Sequence, residues 1–429
     1  RLSMNNLVII DGVRTPFCKA GTALKNVSAV ELGRTAVSAL LKQTGIDPAA
    51  IDETIFGCVS QPADSANIAR VIALRSGIPD KTPAMTVHRN CASGLESLTT
   101  AAERAAAGRG EVFIVGGTES MSQYPFLYRR SAIEKFTTLG RAKSLGQKLG
   151  ALASFRARDF SPMIGLKLGL SDPVCGLNMG QTAEVLAREF GISREEQDQF
   201  ALESHQRAEA ADQQLQEEQT PVFFDEAKEK HVISDNGVRK GQTQEALAKL
   251  RAVFAKEHGT VTAGNASQIT DGAVAMLVMT ESRAEQLGLK PLGWLVDYAY
   301  AGCEPERMGV GPAYAIGKLK NQCKLSPSDA DVVEINEAFA VQVLSVLQLL
   351  NDPKFAAMNG FGDDAIGAVD PTKLNRLGGA IALGHPVGAS AARLVLTALK
   401  QLKRDGGQRA LVSMCIGGGQ GGAAWLERI

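Results

Sequence analysis

A chain of 429 residues, 45% hydrophobic and 21% charged, can bury a large core and divide into two or three domains. Its 46 basic residues balance 46 acidic ones, so no global electrostatic case exists for a nucleic-acid partner. The seven cysteines, Cys18, Cys58, Cys91, Cys175, Cys303, Cys323 and Cys415, are sparse, odd in number and outside any CxxC pair, which argues against a disulfide framework and a structural zinc.

In chain order, the opening RLSMNNLVII has neither a secretory h-region nor an Arg-rich transit pattern, and the cytoplasm is the expected compartment. Arg1 to Ser3 precede Met4 and read as a leading remnant. Apolar runs at Leu7 to Ile10, Val112 to Val115, Ala273 to Val278, Val332 to Ile335 and Leu411 to Met414 predict buried strands. Helical patterns at Val30 to Gln43, Ala92 to Ala107, Arg194 to Asp212 and Ala389 to Lys403 alternate with them, the third opening on a Ser193/Glu196 capping box. This alternation predicts an α/β layered fold. The stretch from 125 to 249 is poor in strand signals and rich in charge, and reads as an inserted, mainly helical lid. From Arg129 to Lys167 it carries nine Lys or Arg against Glu134 and Asp159, a net charge of +7.

A weak internal repeat runs through the chain. GIDPAAIDETIFG (45–57) and KLSPSDADVVEIN (324–336) share a rhythm of turn, short helix and strand with Pro48 and Pro327 in register. The units 91–117 and 388–418 repeat helix, glycine turn, strand and glycine pair. In this register Asn336 and Cys415 sit at equivalent strand ends, where open α/β sheets bind ligands.

Four segments could supply chemistry. HRNCASGLES (88–97) places Cys91 between the strand-like Ala84 to Val87 and a helix start, where free N–H groups and the helix dipole favour a thiolate; a buried structural cysteine is the plainer alternative. The others are EINEAFA around Asn336, GGAIALGHPVGAS around His385 and MCIGGGQGG around Cys415. The last satisfies GxGxxG, but only seven residues follow Gly422, too few for a dinucleotide-binding unit.

Together these segments, with VIIDGVRTPF at the start, NMGQTAE (178–184) and GTVTAGNAS (259–267), resemble the thiolase family in the same order along essentially the whole chain. The resemblance implies two pseudo-symmetric βαβαβαββ halves packed as an α/β/α/β/α core with an inserted lid. Residues 1–124 and 250–282 would form the first half, 125–249 the lid and 283–429 the second half. It implies CoA-dependent cleavage of a 3-ketoacyl-CoA to acetyl-CoA and a shortened acyl-CoA, an acyltransferase reaction through an acyl-enzyme on Cys91. His385 would take the Cys91 proton, and Cys415 would exchange protons with the enolate and with CoA. His385 and a water on Asn336 would face the enolate oxygen, and the N–H groups of Cys91 and Gly417 the tetrahedral oxyanion. Ser267, Arg239, Met179, Met308 and Phe339 would contact CoA and the acyl chain. CoA enters as a substrate, with no tightly bound cofactor and no metal.

RARDFSPMIGLKLGLSDP (156–173) is similar to the thiolase subunits of fatty-acid β-oxidation complexes, although many of those have histidine at the position of Asn336. A homodimer or homotetramer is expected. A hydratase/dehydrogenase partner subunit, or an anionic membrane surface, would meet the basic insert at 129–167. Biosynthetic acetoacetyl-CoA thiolase is the alternative within the family. A decarboxylating ketoacyl synthase would pair two histidines with one cysteine, a cysteine hydrolase leaves Cys415 unexplained, and a non-catalytic interaction subunit leaves the whole set unexplained.

Overall fold

The computed structural model describes residues 7–225 and 230–429; the reading of Arg1 to Ser3 falls outside them. The first half begins with β1 (Leu7–Arg14) and α1 (Ala29–Thr44). Ser28 caps α1 by accepting the Glu31 N–H at 3.2 Å, and Gly45 ends it in the left-handed conformation. Next come β2 (Glu53–Gly57), α2 (Ile68–Arg75), β3 (Ala84–Val87), α3 (Ser93–Ala106) and β4 (Val112–Ser120).

The chain then leaves the sheet and returns only at Thr270. This insertion holds α4 (Arg130–Arg141), α5 (Leu145–Ala153), α6 (Met179–Phe190) and α7 (Arg194–Ala210), with both halves of the Ser193/Glu196 capping box formed. The stretch read as a lid, 125–249, lies wholly within it, and residues 250–269 still belong to the connection. Then β5 (Thr270–Thr280) runs antiparallel between β1 and β4.

The second half repeats the plan with β6 (Gly293–Gly302), α8 (Gly311–Cys323), β7 (Val332–Ile335), α9 (Ala340–Leu350), α10 (Ser390–Asp405), β8 (Arg409–Ile416) and β9 (Gln420–Arg428). In the first half the strands lie in the order β3-β2-β4-β5-β1, and in the second β7-β8-β9-β6, with Leu374 bridging the outer edge of β7. Both halves therefore place their third, second, fourth, fifth and first strands in the same sequence. The register survives in detail: Lys324 ends α8 at φ 61°, as Gly45 ends α1 at φ 66°, and short helices at Pro48 and Pro327 follow. The halves join where β1 meets β6 antiparallel at Val8–Trp294 and Ile9–Gly293, making one sheet of these nine strands, to which the two-residue strand Cys18–Lys19 adds a tenth beside β5.

Strand alternation builds the layers. Leu7 and Ile9 of β1 point into a central core with α3 and α10, while Val8 and Ile10 point to α1 and α2. On the far side, α8 and α9 cover Val333, Ile335 and Leu411. Helices thus lie outside and between the two half-sheets, in the α/β/α/β/α arrangement. Buried faces on both sides explain the unbroken apolar runs of β5 and β8.

Candidate active site

The parallel strands β3, β7 and β8 end at one place, and each contributes a residue just past or at its carboxyl end: Cys91, Asn336 and Cys415. Cys91 sits on a tight turn before α3. Asn90 takes φ 42°, a left-handed conformation that asparagine tolerates better than most residues, and the N–H groups of Ala92 and Ser93 bond back to Arg89 and Asn90. The Asn90 side chain donates to the Gly417 carbonyl at 2.8 Å, tying this turn to the loop after β8. In the second half the Arg376–Gly378 bridge repeats the Arg89–Cys91 bridge, so a glycine stands where the thiol does. The symmetry of the fold is broken at the nucleophile.

Burial pushes the Cys91 thiol up, while the backbone N–H groups of Gly417 and of Cys91 itself pull it down. Glu119 adds to the upward push. This carboxylate, fully buried at the end of β4, accepts N–H bonds from Val59 (3.0 Å), Ser60 (3.0 Å) and Gly388 (2.9 Å). Glu119 thereby fastens the loop after β2 to the loop that carries His385.

His385 is buried and held by its own backbone: its N–H donates to Thr270 Oγ1 at 3.0 Å. Its Nδ1 meets Ser390 Oγ, whose hydroxyl proton goes to the Pro386 carbonyl at 3.1 Å. With that proton on the Pro386 carbonyl, Nδ1 is the donor to Ser390 Oγ, and in this tautomer Nε2 carries the lone pair. Nε2 has no hydrogen-bond partner and belongs to a residue lining the same cavity as Cys91. Burial, with Arg393 nearby, pushes the ring down to about 4. Cys415 is displaced well above the usual thiol range by burial and by Cys91 and Cys303. At neutral pH the site therefore combines a neutral imidazole base and two thiols that hold their protons.

Two cavities meet at Cys91. One, of about 230 Å³, is lined by Cys91, His385, Cys415, Met179, Ser267, Met308 and Phe339, which brings together most of the residues expected from sequence. Its walls are stitched to one another: Ser267 N–H bonds the Ala338 carbonyl at 2.9 Å, and Met179 N–H the Leu170 carbonyl at 2.9 Å. The other, of about 210 Å³, passes Gly417 and Gly418 between Met121, Tyr124, Leu170 and Pro173.

Two expected residues stand outside these walls. Asn336 is buried at the end of β7 with both amide atoms unpartnered, an arrangement suited to holding a water. Arg239 is exposed, its backbone N–H bonded to His205 Nδ1 at 3.0 Å. Sequence reasoning missed Asn90, Glu119 and Ser390. Glu119 and Gly388 are 269 residues apart, so no local pattern could have paired them.

The chain matches two family models, "Thiolase, N-terminal domain" over residues 7–282 and "Thiolase, C-terminal domain" over residues 289–428. It is 39% identical over 426 residues to the 3-ketoacyl-CoA thiolases of Yersinia pestis (strain Pestoides F) and Yersinia pseudotuberculosis serotype O:1b, covering 99% of this chain and 97% of each relative. Among solved structures, the Bacillus anthracis acetyl-CoA acetyltransferase superposes with a TM-score of 0.85 at 35% identity, with 100% of both chains covered. Human mitochondrial 3-ketoacyl-CoA thiolase in complex with CoA gives 0.84 at 36%, covering 99% of this chain and 98% of that one.

Proposed function

Because this chain belongs to the thiolase family and is an acyltransferase of 3-ketoacyl-CoA thiolase type, we propose how its own residues divide the reaction. The Cys91 proton passes to His385 Nε2 and the sulfur adds to C3 of the 3-ketoacyl-CoA. The N–H groups of Cys91 and Gly417 receive the resulting oxyanion; such donors are each worth about 3 kcal/mol. Collapse breaks the C2–C3 bond, leaves the shortened acyl group on Cys91 and expels the acetyl-CoA enolate. Its oxygen would face His385 and a water on Asn336, and its carbon takes the Cys415 proton. Cys415 then recovers a proton from incoming CoA, whose sulfur displaces Cys91, and His385 returns the first proton.

CoA is a substrate here, and the cavity with Ser267, Met179, Met308 and Phe339 suits its pantetheine arm and the thioester. Arg239, on the surface, would reach only the nucleotide end. The cavity past Gly417 suits the acyl chain, since Met121, Leu170, Met179, Val387 and Pro173 supply apolar walls. We divide the chain into core halves 1–124 with 250–282 and 283–429, and a lid 125–249, residues 250–269 being the segment that leads from the lid back to β5. A homodimer or homotetramer in the cytoplasm is the proposed setting, with a hydratase/dehydrogenase subunit as a partner. Among the described residues no helix is long and apolar enough to cross a membrane.

The observation that carries the degradative reading is this second cavity opening from Cys91. The competing reading, a biosynthetic acetoacetyl-CoA thiolase, is favoured by the likeness to the B. anthracis enzyme. Thiolysis rates with 3-ketoacyl-CoA substrates of increasing length decide between them. The degradative reading expects kcat/KM to hold or rise beyond acetoacetyl-CoA; activity confined to the shortest substrate supports the biosynthetic one.

A further inference from the structure

Residues 235–241, which carry Arg239, form a strap without helix or strand. Such a segment takes its course from the groups that satisfy its backbone and side chains. Asp235 accepts from both terminal nitrogens of the fully buried Arg14, at 2.7 and 2.8 Å, and from the Phe17 N–H at 2.7 Å. Asn236 accepts the Lys19 N–H at 2.8 Å. The Gly237 carbonyl accepts from the Gln268 side chain at 3.2 Å, and a Cβ on Gly237 would lie 2.6 Å from the Ala382 carbonyl oxygen. The strap therefore passes directly against the segment that leads to His385.

At Arg239 the anchor changes to α7. The Arg239 N–H donates to His205 Nδ1 at 3.0 Å, and two residues later the Gly241 N–H donates to Glu209 Oε2 at 3.1 Å. His205 and Glu209 are one helical turn apart, so they stand one above the other on a single face of α7. The helix grips the backbone at and just beyond Arg239 while the residue itself stays exposed. His205 is only 2% exposed, and because its Nδ1 accepts, Nε2 carries the proton of the neutral ring. Burial and the charge of Arg239 push this ring down to about 4, so the acceptor persists at neutral pH.

The preceding residue of α7 serves the chemistry instead. Ser204 donates to Glu337 Oε1 at 2.6 Å and accepts the Gly379 N–H at 3.2 Å. Consecutive helical residues point about 100° apart, so one turn of α7 ties the strap on one side and the loops bearing Asn336 and His385 on the other. CoA must span the same interval, since its sulfur has to reach Cys91 while its nucleotide stays at the surface.

We propose that His205 and Glu209 are positioning residues for CoA: holding the backbone at Arg239 and Gly241, they fix the guanidinium where the nucleotide phosphates arrive when the thiol is at Cys91. This rests on the placement of Arg239 at the nucleotide end. Neither residue touches the reacting atoms, so losing them weakens CoA binding without slowing the chemistry.

Thiolysis of saturating acetoacetyl-CoA with either CoA or pantetheine as acyl acceptor tests this, since pantetheine has the thiol arm and no nucleotide. His205→Leu should raise KM for CoA about tenfold with kcat within about twofold, and should leave the pantetheine values as in the wild type. His205→Asn, whose side-chain oxygen can accept the Arg239 N–H, should recover most of the loss. Glu209→Ala, at an exposed position, should raise KM for CoA about threefold and keeps the test available if His205→Leu does not fold. The double variant His205→Leu/Arg239→Ala should lose no more than Arg239→Ala alone, because both changes remove the same contact. An unchanged KM for CoA in Arg239→Ala removes Arg239 from the nucleotide, and the inference falls with it. A raised KM in Arg239→Ala beside normal values in His205→Leu and Glu209→Ala overturns the inference alone. A loss shared by pantetheine, or losses that multiply in the double variant, also overturns it and assigns His205 to stability.

Discussion

Cys91, His385 and Cys415 are three proton-exchanging groups in one space, each displaced from its ordinary range by burial. For His385 the displacement is downward, to about 4. The unfolded chain takes up this proton near pH 6.5, whereas the folded one does so only near 4, so stability from this group is present above about 6.5 and lost as pH falls towards 4. The same shift keeps the imidazole unprotonated and able to act as a base below pH 6. Acylation of Cys91 by acetyl-CoA, followed from about pH 8 to 5.5, should therefore show no step with a midpoint near 6.5. Such a step would mean that His385 titrates as an exposed histidine does. Cys415 acts only by proton exchange, so Cys415→Ser should leave acylation from acetyl-CoA largely intact while thiolysis falls about 100-fold or more. Near-normal turnover would remove it from the reaction.

At the scale of elements, the central helices bring the two halves of the chemistry together. α3 starts two residues after Cys91 and α10 five residues after His385, and they cross where Gly94 faces Ala392. A Cβ on Gly94 would lie 2.6 Å from the Ala392 backbone nitrogen, so the helices approach as closely as they do because glycine is there. Gly94→Ala should cost about 2 kcal/mol by overpacking and should also depress turnover by moving Cys91 relative to His385. Gly146→Ala in α5 is the matched control, since a Cβ there meets nothing within 4 Å; it should be neutral or stabilise the helix by up to about 1 kcal/mol. Thermal unfolding and thiolysis of both variants check this, and equal melting temperatures would contradict the crossing argument. Helix ends such as Ser193/Glu196 and strand runs such as Leu411 to Met414 were readable because their signals are local. The α4–α5 hairpin was half readable: its charge is plain in the sequence, but apolar periodicity ordinarily means burial, and Leu145, Leu149 and Leu152 are exposed.

For the whole molecule, the repeated strand order explains why distant residues share a site. Asn336 and Cys415 end adjacent parallel strands of the second half, while Cys91 follows the edge strand of the first. Those three, with His385, stood out as candidates because their segments follow one another in the order of the thiolase family, each segment alone being a weak signal. Glu119, Asn90 and Ser390 did not, because their roles depend on partners that only the folded chain supplies: Gly388, Gly417 and the His385 ring. Every step assigned to these groups passes through one covalent species, the thioester on Cys91. Incubating the protein with acetyl-CoA, digesting it and locating the added acetyl group by peptide mass spectrometry observes that species directly. The acetyl group should be found on Cys91 in the wild type, should be removed by added CoA, and should be absent from Cys91→Ala. Acetylation at Cys415 instead, or equal labelling of Cys91→Ala, would contradict the assignment of Cys91 as the nucleophile.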